Sequence, residues 1–319
     1  MRRVIAAAVL AACVVVASAH AAPASTFVQA PGPQGPLKGL LSSPGGKVPV
    51  VLVIPGSGNV DRDENGPGIK AAPLRLLAEG LADHGVASVR IDKRGRYASA
   101  AAGDANSATV EKMGRDVHAW AGALTAQLGI SCIWVAGHSE GGVVAIAAGR
   151  DPDQICGLVL ISTPGRPLGV IMRDQLHAAP ELQPLLPAAD AILSKLDRGE
   201  HVPAAAIPGP LMALFRPAVQ DKLIVDLHFD PTAALASYKG RVMIVQGETD
   251  LQVSPVDAQR LANARPDAKL LLVPGMNHVL KIAPLERAAN FAAYTDPSLP
   301  LAPGVAEAIA AFVKLRAPR

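Results

Sequence analysis

The sequence predicts a mostly parallel, doubly wound α/β sheet with a helical insertion at one end. Three observations lead there: short apolar runs without polar alternation, helical segments between them, and one proline-rich stretch that interrupts the rhythm. Half of the 319 residues are apolar, enough for a sizeable core.

Met1-Arg2-Arg3, the apolar run 4–17 and Ser18-Ala19-His20-Ala21 have the basic, apolar and small-residue order of a secretory leader cleaved after Ala21. The folded domain is therefore expected over residues 22–319. Leu10-Ala11-Ala12-Cys13 offers a rival, lipoprotein processing with the lipid on Cys13, although the apolar run continues through Val14-Val15-Val16. A periplasmic or secreted protein is expected, with no stable membrane span once the leader has gone. Removing residues 1–21 takes two arginines and no acid, so the formal charge falls from +3 to +1, which leaves no basic footprint for nucleic acid.

Residues 23–47 set Pro31-Gly32-Pro33 and Pro44-Gly45-Gly46 around two short apolar stretches, the pattern of a hairpin. The runs at 48–54, 86–91, 130–137, 157–161, 241–246 and 270–273 then read as strands buried on both faces. Segments 71–84, 110–128, 141–149, 256–264 and 305–315 have the length and spacing of helices that cover such a sheet. Residues 164–237 contain many prolines, several helical pieces and no strong strand signal. Ligands of open α/β sheets bind at the carboxyl ends of the strands, so this insertion is expected there as a cap with an apolar inner face.

Cys132 and Cys156 are the cysteines left after the leader. Each begins one of two consecutive strands, which a right-handed crossover makes neighbours about 4.8 Å apart. An exported chain meets an oxidising environment, so a structural disulfide is expected, worth roughly 3 kcal/mol.

The strongest chemical signal is Gly137-His138-Ser139-Glu140-Gly141-Gly142, placed between a strand and a helix. A serine on so sharp a turn is presented at a helix N-terminus, which favours developing negative charge. Serine is a weak nucleophile and needs a base, itself oriented by an acid. His278, just after the last strand, is the base candidate. Asp250, in the turn after the preceding strand, is the acid candidate, with Glu248 and Asp257 as rivals. The backbone N–H of Glu140 would supply one donor to an oxyanion, and Ser57 or Gly58, in Pro55-Gly56-Ser57-Gly58-Asn59, the second.

Ile54-Pro55-Gly56-Ser57-Gly58, Asp61-Arg62-Asp63, Asp92-Lys93-Arg94-Gly95, the serine turn with Glu140, and Gly275-Met276-Asn277-His278 together resemble a bacterial branch of the α/β-hydrolase superfamily, the serine-aminopeptidase-like or esterase D-type hydrolases. The resemblance runs from about Thr26 onward. It implies an α/β-hydrolase fold, triad roles for Ser139, Asp250 and His278, and carboxylesterase activity. Two residues depart from the pattern: Glu64 stands where the family commonly has Gly, and Tyr97 stands where the Asp-x-Arg-Gly loop usually has another.

Asp61, Arg62, Asp63, Asp92 and Arg94 read as an ion-pair network bracing the oxyanion loop rather than a metal site, since calcium-loop spacing is absent. The chemistry expected is hydrolysis of a small-molecule ester through an acyl-enzyme, with no cofactor. A prolyl-aminopeptidase-like peptidase is the nearest alternative; it would need cap acids such as Asp174, Glu181 or Asp190 to hold a substrate amine. A non-catalytic periplasmic binding protein has no physical need of all three triad residues.

Overall fold

The computed structural model describes residues 24–315. The expected leader, residues 1–21, and Cys13 lie outside the described residues. Eight strands form one sheet in the order β1-β2-β4-β3-β5-β6-β7-β8. The amino-terminal hairpin, β1 (Ala24–Ala30) and β2 (Leu37–Ser43), joins it antiparallel through β2 and β4. The remaining strands run parallel: β3 (Val50–Ile54), β4 (Ala87–Ile91), β5 (Ile133–His138), β6 (Ile155–Ile161), β7 (Arg241–Gly247) and β8 (Lys269–Val273).

Their apolar runs follow from burial on both faces. Val50, Leu52 and Ile54 enter one apolar layer, while Val51 and Val53 enter the other; Ile133 and Val135 divide from Trp134 and Ala136 in the same way. A strand covered on both sides has no use for polar alternation. Strand β8 departs from that expectation, because Lys269 and Leu272 are exposed and Leu270 and Leu271 only half-buried. It is the edge of the sheet, where cover is incomplete.

Helices α1 (Pro73–Asp83), α2 (Val110–Leu128) and α3 (Glu140–Ala148) follow β3, β4 and β5 in turn. After β6 come α4 (Leu168–His177), α5 (Leu186–Asp197), α6 (Met212–Phe215), α7 (Pro217–Asp226) and α8 (Pro231–Ser237). Helix α9 (Pro255–Ala264) joins β7 to β8, and α10 (Arg287–Ala292) and α11 (Val305–Lys314) complete the described chain. Leu74, Leu77 and Leu81 of α1 share one layer with Val305, Ile309 and Phe312 of α11, whereas α2, α3 and α9 fill the other.

The insertion after β6 has a core of its own, formed by Ile192, Leu193 and Leu196 of α5 with Leu211, Phe215, Leu223 and Leu227. Its last helix is different. Phe229, Ala234, Leu235 and Tyr238 join the core under the sheet, so the separately packed part ends near Leu227 and α8 belongs to the body. Strand β3 has β4 on one side and β5 on the other, and this reversal of order opens a crevice at their carboxyl ends.

Cys132 and Cys156 form a disulfide with their Cα atoms 5.3 Å apart. The β5–β6 register jumps from Ile133↔Ile155 to Trp134↔Gly157, which makes Cys156 the extra residue of a bulge. Released from strict pairing, its side chain meets Cys132 at the end of the sheet opposite Ser139. Closing this loop constrains the unfolded chain by about 3 kcal/mol. Reduction is expected to lower Tm by several degrees and leave the low-temperature hydrolytic rate unchanged. Two free sulfhydryls in a thiol titration of denatured, unreduced protein would contradict the bond.

Candidate active site

Ser139 lies between β5 and α3 with φ 53° and ψ −123°, a conformation that side chains with a Cβ rarely adopt. Its surroundings enforce it. A Cβ on Gly137 would meet the backbone of Gly141 and Gly142, one on Gly141 the carbonyls of Ile54 and Pro55, and one on Gly142 the side chain of Thr163. Three glycines thus let α3 begin directly against the ends of β3 and β6. Hydrogen bonds from Ser139 N to the Ile161 carbonyl (2.9 Å) and from Gly142 N to the Ser139 carbonyl (3.0 Å) hold the turn.

Asp250 and His278 meet above the next two strands. Asp250 Oδ2 faces His278 Nδ1 at 2.8 Å, and its Oδ1 accepts the amides of Gln252 (2.8 Å) and Val253 (2.9 Å). Burial pushes this carboxyl up, but His278 and the two amides outweigh it, so Asp250 titrates below the ordinary carboxylate range. Gly247 lets the Met276 carbonyl approach where a Cβ would block it, and Thr249 N donates to that carbonyl at 3.1 Å. The acid turn and the histidine loop are thereby joined. Neither rival acid is placed for this contact: Glu248 is exposed, and Asp257 is held by Arg166 and the Gly165 amide.

Of the two candidates for the second oxyanion donor, Ser57 lines the same cavity as Ser139, while Gly58 faces a neighbouring cleft with Lys93, Arg96 and Lys222. The amides of Ser57 and Glu140 donate to no other described residue. Ser139 Oγ likewise makes no hydrogen bond among the described residues. The cavity, about 50 Å³, is roofed by Leu168 and Ile171 of α4 and flanked by Val143, Phe229 and Pro231. The insertion therefore lies over the carboxyl ends of the strands, with apolar groups facing Ser139.

Several residues around the site were not singled out by sequence for the contacts they make. His138 is buried, with Nδ1 2.9 Å from Glu64 Oε1 and Nε2 2.8 Å from the His278 carbonyl. Glu64 also accepts the Gly56 amide at 2.7 Å. Its φ is 66° and that of Tyr97 is 40°, so both departures from a family glycine sit at left-handed backbone positions. The Tyr97 hydroxyl donates to the Asn59 carbonyl at 2.9 Å, bracing the oxyanion loop from outside.

Glu140 lies between two ammonium groups, Lys93 (3.4 Å) and Lys222 of α7 (3.2 Å). Burial alone would raise its carboxyl, but these charges bring it down to about 2. Lys222 also binds Asp226 at 2.6 Å, and Asp226 accepts the Val110 amide (2.9 Å) at the start of α2. The charged set seen in sequence is fully engaged: Arg62 pairs with Asp92, Arg90 with Asp63, Arg94 with Asp116, and Asp61 accepts the amides of Asp63 and Asn65. Among the described residues no three His, Cys, Asp or Glu side chains stand together as metal ligands.

The sheet order, the strained serine turn and the Asp250–His278 pair define an α/β-hydrolase. The family model for serine aminopeptidase, S33, matches residues 70–282, about two thirds of the chain, and the chain belongs to that family. Esterase EstD of Thermotoga maritima is 30% identical over 248 residues, covering 74% of this chain and 55% of that protein. The chain thus spans about half the length of this curated relative. Est1E from Butyrivibrio proteoclasticus, solved with ferulic acid bound, superposes with a TM-score of 0.57 at 18% identity, over 90% of this chain and 96% of its own. The Pyrococcus furiosus esterase Pf2001 gives 0.54 at 18% identity, over 79% and 83%. At these identities the two structures show the fold.

Asp250→Asn is expected to fold normally and to lose about 10⁴-fold in hydrolytic turnover, because an amide cannot favour the required histidine tautomer. Glu248→Gln should stay within about twofold of wild type. A greater loss for Glu248→Gln than for Asp250→Asn would reassign the acid.

Proposed function

We propose that this protein is an exported carboxylesterase that hydrolyses short-chain esters through an acyl-enzyme on Ser139. The observation that carries the reading is the charge state of the pocket: every carboxylate around it is already matched. Glu140 and Asp226 are bound by Lys222, and Asp174 by Arg166. Farther out on the cap, Glu181 meets Arg287 at 3.4 Å and Asp190 meets His177 at 3.0 Å. Among the described residues no free acid is left beside Ser139 to recognise a substrate amine, as an aminopeptidase would need. A neutral ester asks for none.

With Asp250 accepting from Nδ1, the His278 proton sits on that nitrogen and Nε2 is free to take the Ser139 proton. Ser139 Oγ attacks the ester carbonyl, and the amides of Ser57 and Glu140 receive the oxyanion at the N-terminus of α3. His278 then protonates the leaving alcohol. It next activates a water that releases the acid. The Ser139–His278 hydrogen bond forms as substrate enters, as is common for catalytic contacts that are loose in the free enzyme.

Acyl length follows from space. The room beside Ser139 is small, about 50 Å³, which favours the shortest acyl groups. The disulfide supports the oxidising compartment that the expected leader implies. Among the described residues no helix is long and apolar enough to cross a membrane.

The test is a series of p-nitrophenyl esters from acetate to laurate run beside aminoacyl p-nitroanilides. Ester turnover is expected to peak at short chains, with anilide turnover far below it, and Ser139→Ala should lose roughly four to six orders of magnitude. Faster anilide cleavage would favour the peptidase, and no Ser139-dependent turnover of either kind would favour a binding protein.

A further inference from the structure

Behind the Asp250–His278 pair stands a second histidine–carboxylate pair that the proposed chemistry leaves unused. His138 is 1% exposed, and its ring centroid lies 4.7 Å from that of His278. Nδ1 lies 2.9 and 2.8 Å from the two oxygens of Glu64, and Nε2 lies 2.8 Å from the backbone carbonyl of His278. Both partners of the ring are acceptors. A neutral imidazole has one N–H and would set a lone pair against one of them, so with Glu64 ionised, satisfying both contacts takes a proton on each nitrogen. The counter-charge is Glu64, whose Oε1 also accepts the Gly56 amide and whose buried Oε2, 2.8 Å from Nδ1, has no hydrogen-bond partner among the described residues.

The pair touches three separate parts of the site. Glu64 holds Gly56, next to Ser57 of the oxyanion loop; His138 is the residue before Ser139; and its Nε2–H grips the main chain of His278. We infer that His138, kept as an imidazolium by Glu64, is a positioning residue that fixes His278 relative to Ser139 and the oxyanion loop and opposes a second positive charge on the His278 ring. This rests on the esterase reading of Ser139. Burial works against the charged ring, but Glu64 outweighs it and holds His138 above the ordinary histidine range; Glu64, in turn, is held below its own despite its burial. The other charged or titratable groups facing the pair are Asp250 beyond His278, Lys93 behind the Gly56 carbonyl, and the Tyr294 phenol.

The experiment replaces the charge and keeps the hydrogen bond. His138→Gln can still donate an amide N–H to the His278 carbonyl, yet it carries no charge. Expected are a fall in kcat of roughly 10- to 100-fold, KM within about twofold, and an acid limb of kcat/KM moved upward by about one pH unit. Glu64→Gln should lower kcat in the same direction. A His138→Gln enzyme with wild-type kcat and an unmoved acid limb would overturn the role. Should the variants fail to fold, ¹⁵N spectra of the histidine rings in the wild-type protein decide the matter. One ring that stays protonated on both nitrogens at a pH where the exposed histidines have become neutral is expected, and finding every ring neutral there would refute the inference. The ring spectra do not depend on turnover, so an active Ser139→Ala enzyme would remove the esterase reading separately.

Discussion

The site depends on one steric constraint: α3 must begin in contact with the ends of β3 and β6. Gly137, Gly141 and Gly142 are the residues that permit it, since a Cβ at any of them would enter backbone or Thr163. From that contact follow the left-handed φ of Ser139, its hydroxyl at the crevice between β3 and β5, and the free Glu140 amide beside it. The strain at Ser139 is held by the packing of Gly137, Gly141 and Gly142 against their neighbours, which fixes the turn and the adjoining Glu140 amide in place. Asp250 and His278 are less constrained locally. They reach the same place because β7 and β8 continue the parallel sheet and Gly247 draws their two loops together.

A second regularity is electrostatic. Buried charge is costly unless it is matched, and removing one member of a buried pair costs more than the pair contributed. Around Ser139 the matching is thorough: Glu64 with His138, Glu140 with Lys93 and Lys222, Asp92 with Arg62, Asp63 with Arg90. The cavity beside Ser139 is lined by Glu140, Asp226 and Arg166 as well as by Val143, Leu168, Ile171 and Phe229, and each of those charges is held by a partner of opposite sign. The charges beside Ser139 thus cancel one another before any ligand arrives.

The parallel strands were legible because burial on both faces writes itself into contiguous apolar runs, and α2 was legible to the residue because its amphipathic period has a Thr109 cap at one end and Gly129 at the other. Ser139 was legible for a related reason: its turn is local, with all the necessary glycines within six residues. The Glu64–His138 pair was not. Its members are 74 positions apart, Glu64 stood out only as a departure from a family glycine and His138 only as a neighbour of Ser139, and the close approach of the loop after β3 to β5 is what brings them together. The end of the insertion was misjudged at α8, whose short apolar pattern is the same whether Leu235 packs against the cap or the sheet. The bulge at Cys156 carries no composition signal either, although it is what brings the two cysteines together.

The cap's separate core has a mechanical consequence. Leu223 of α7 and Leu227, the residue that follows it, face inward among the cap's own side chains, while Lys222 and Asp226 of α7 face the body. Part of what fastens the two layers is therefore polar, and polar links can break and reform without dissolving either hydrophobic cluster. A layer built this way can lift as a cooperative unit, at a free energy below that of global unfolding. The α7 fastening lands on Glu140, one residue from Ser139, so any lifting of the cap would open that carboxylate and the start of α3 to water together, and would change access and electrostatic environment at Ser139 in the same motion.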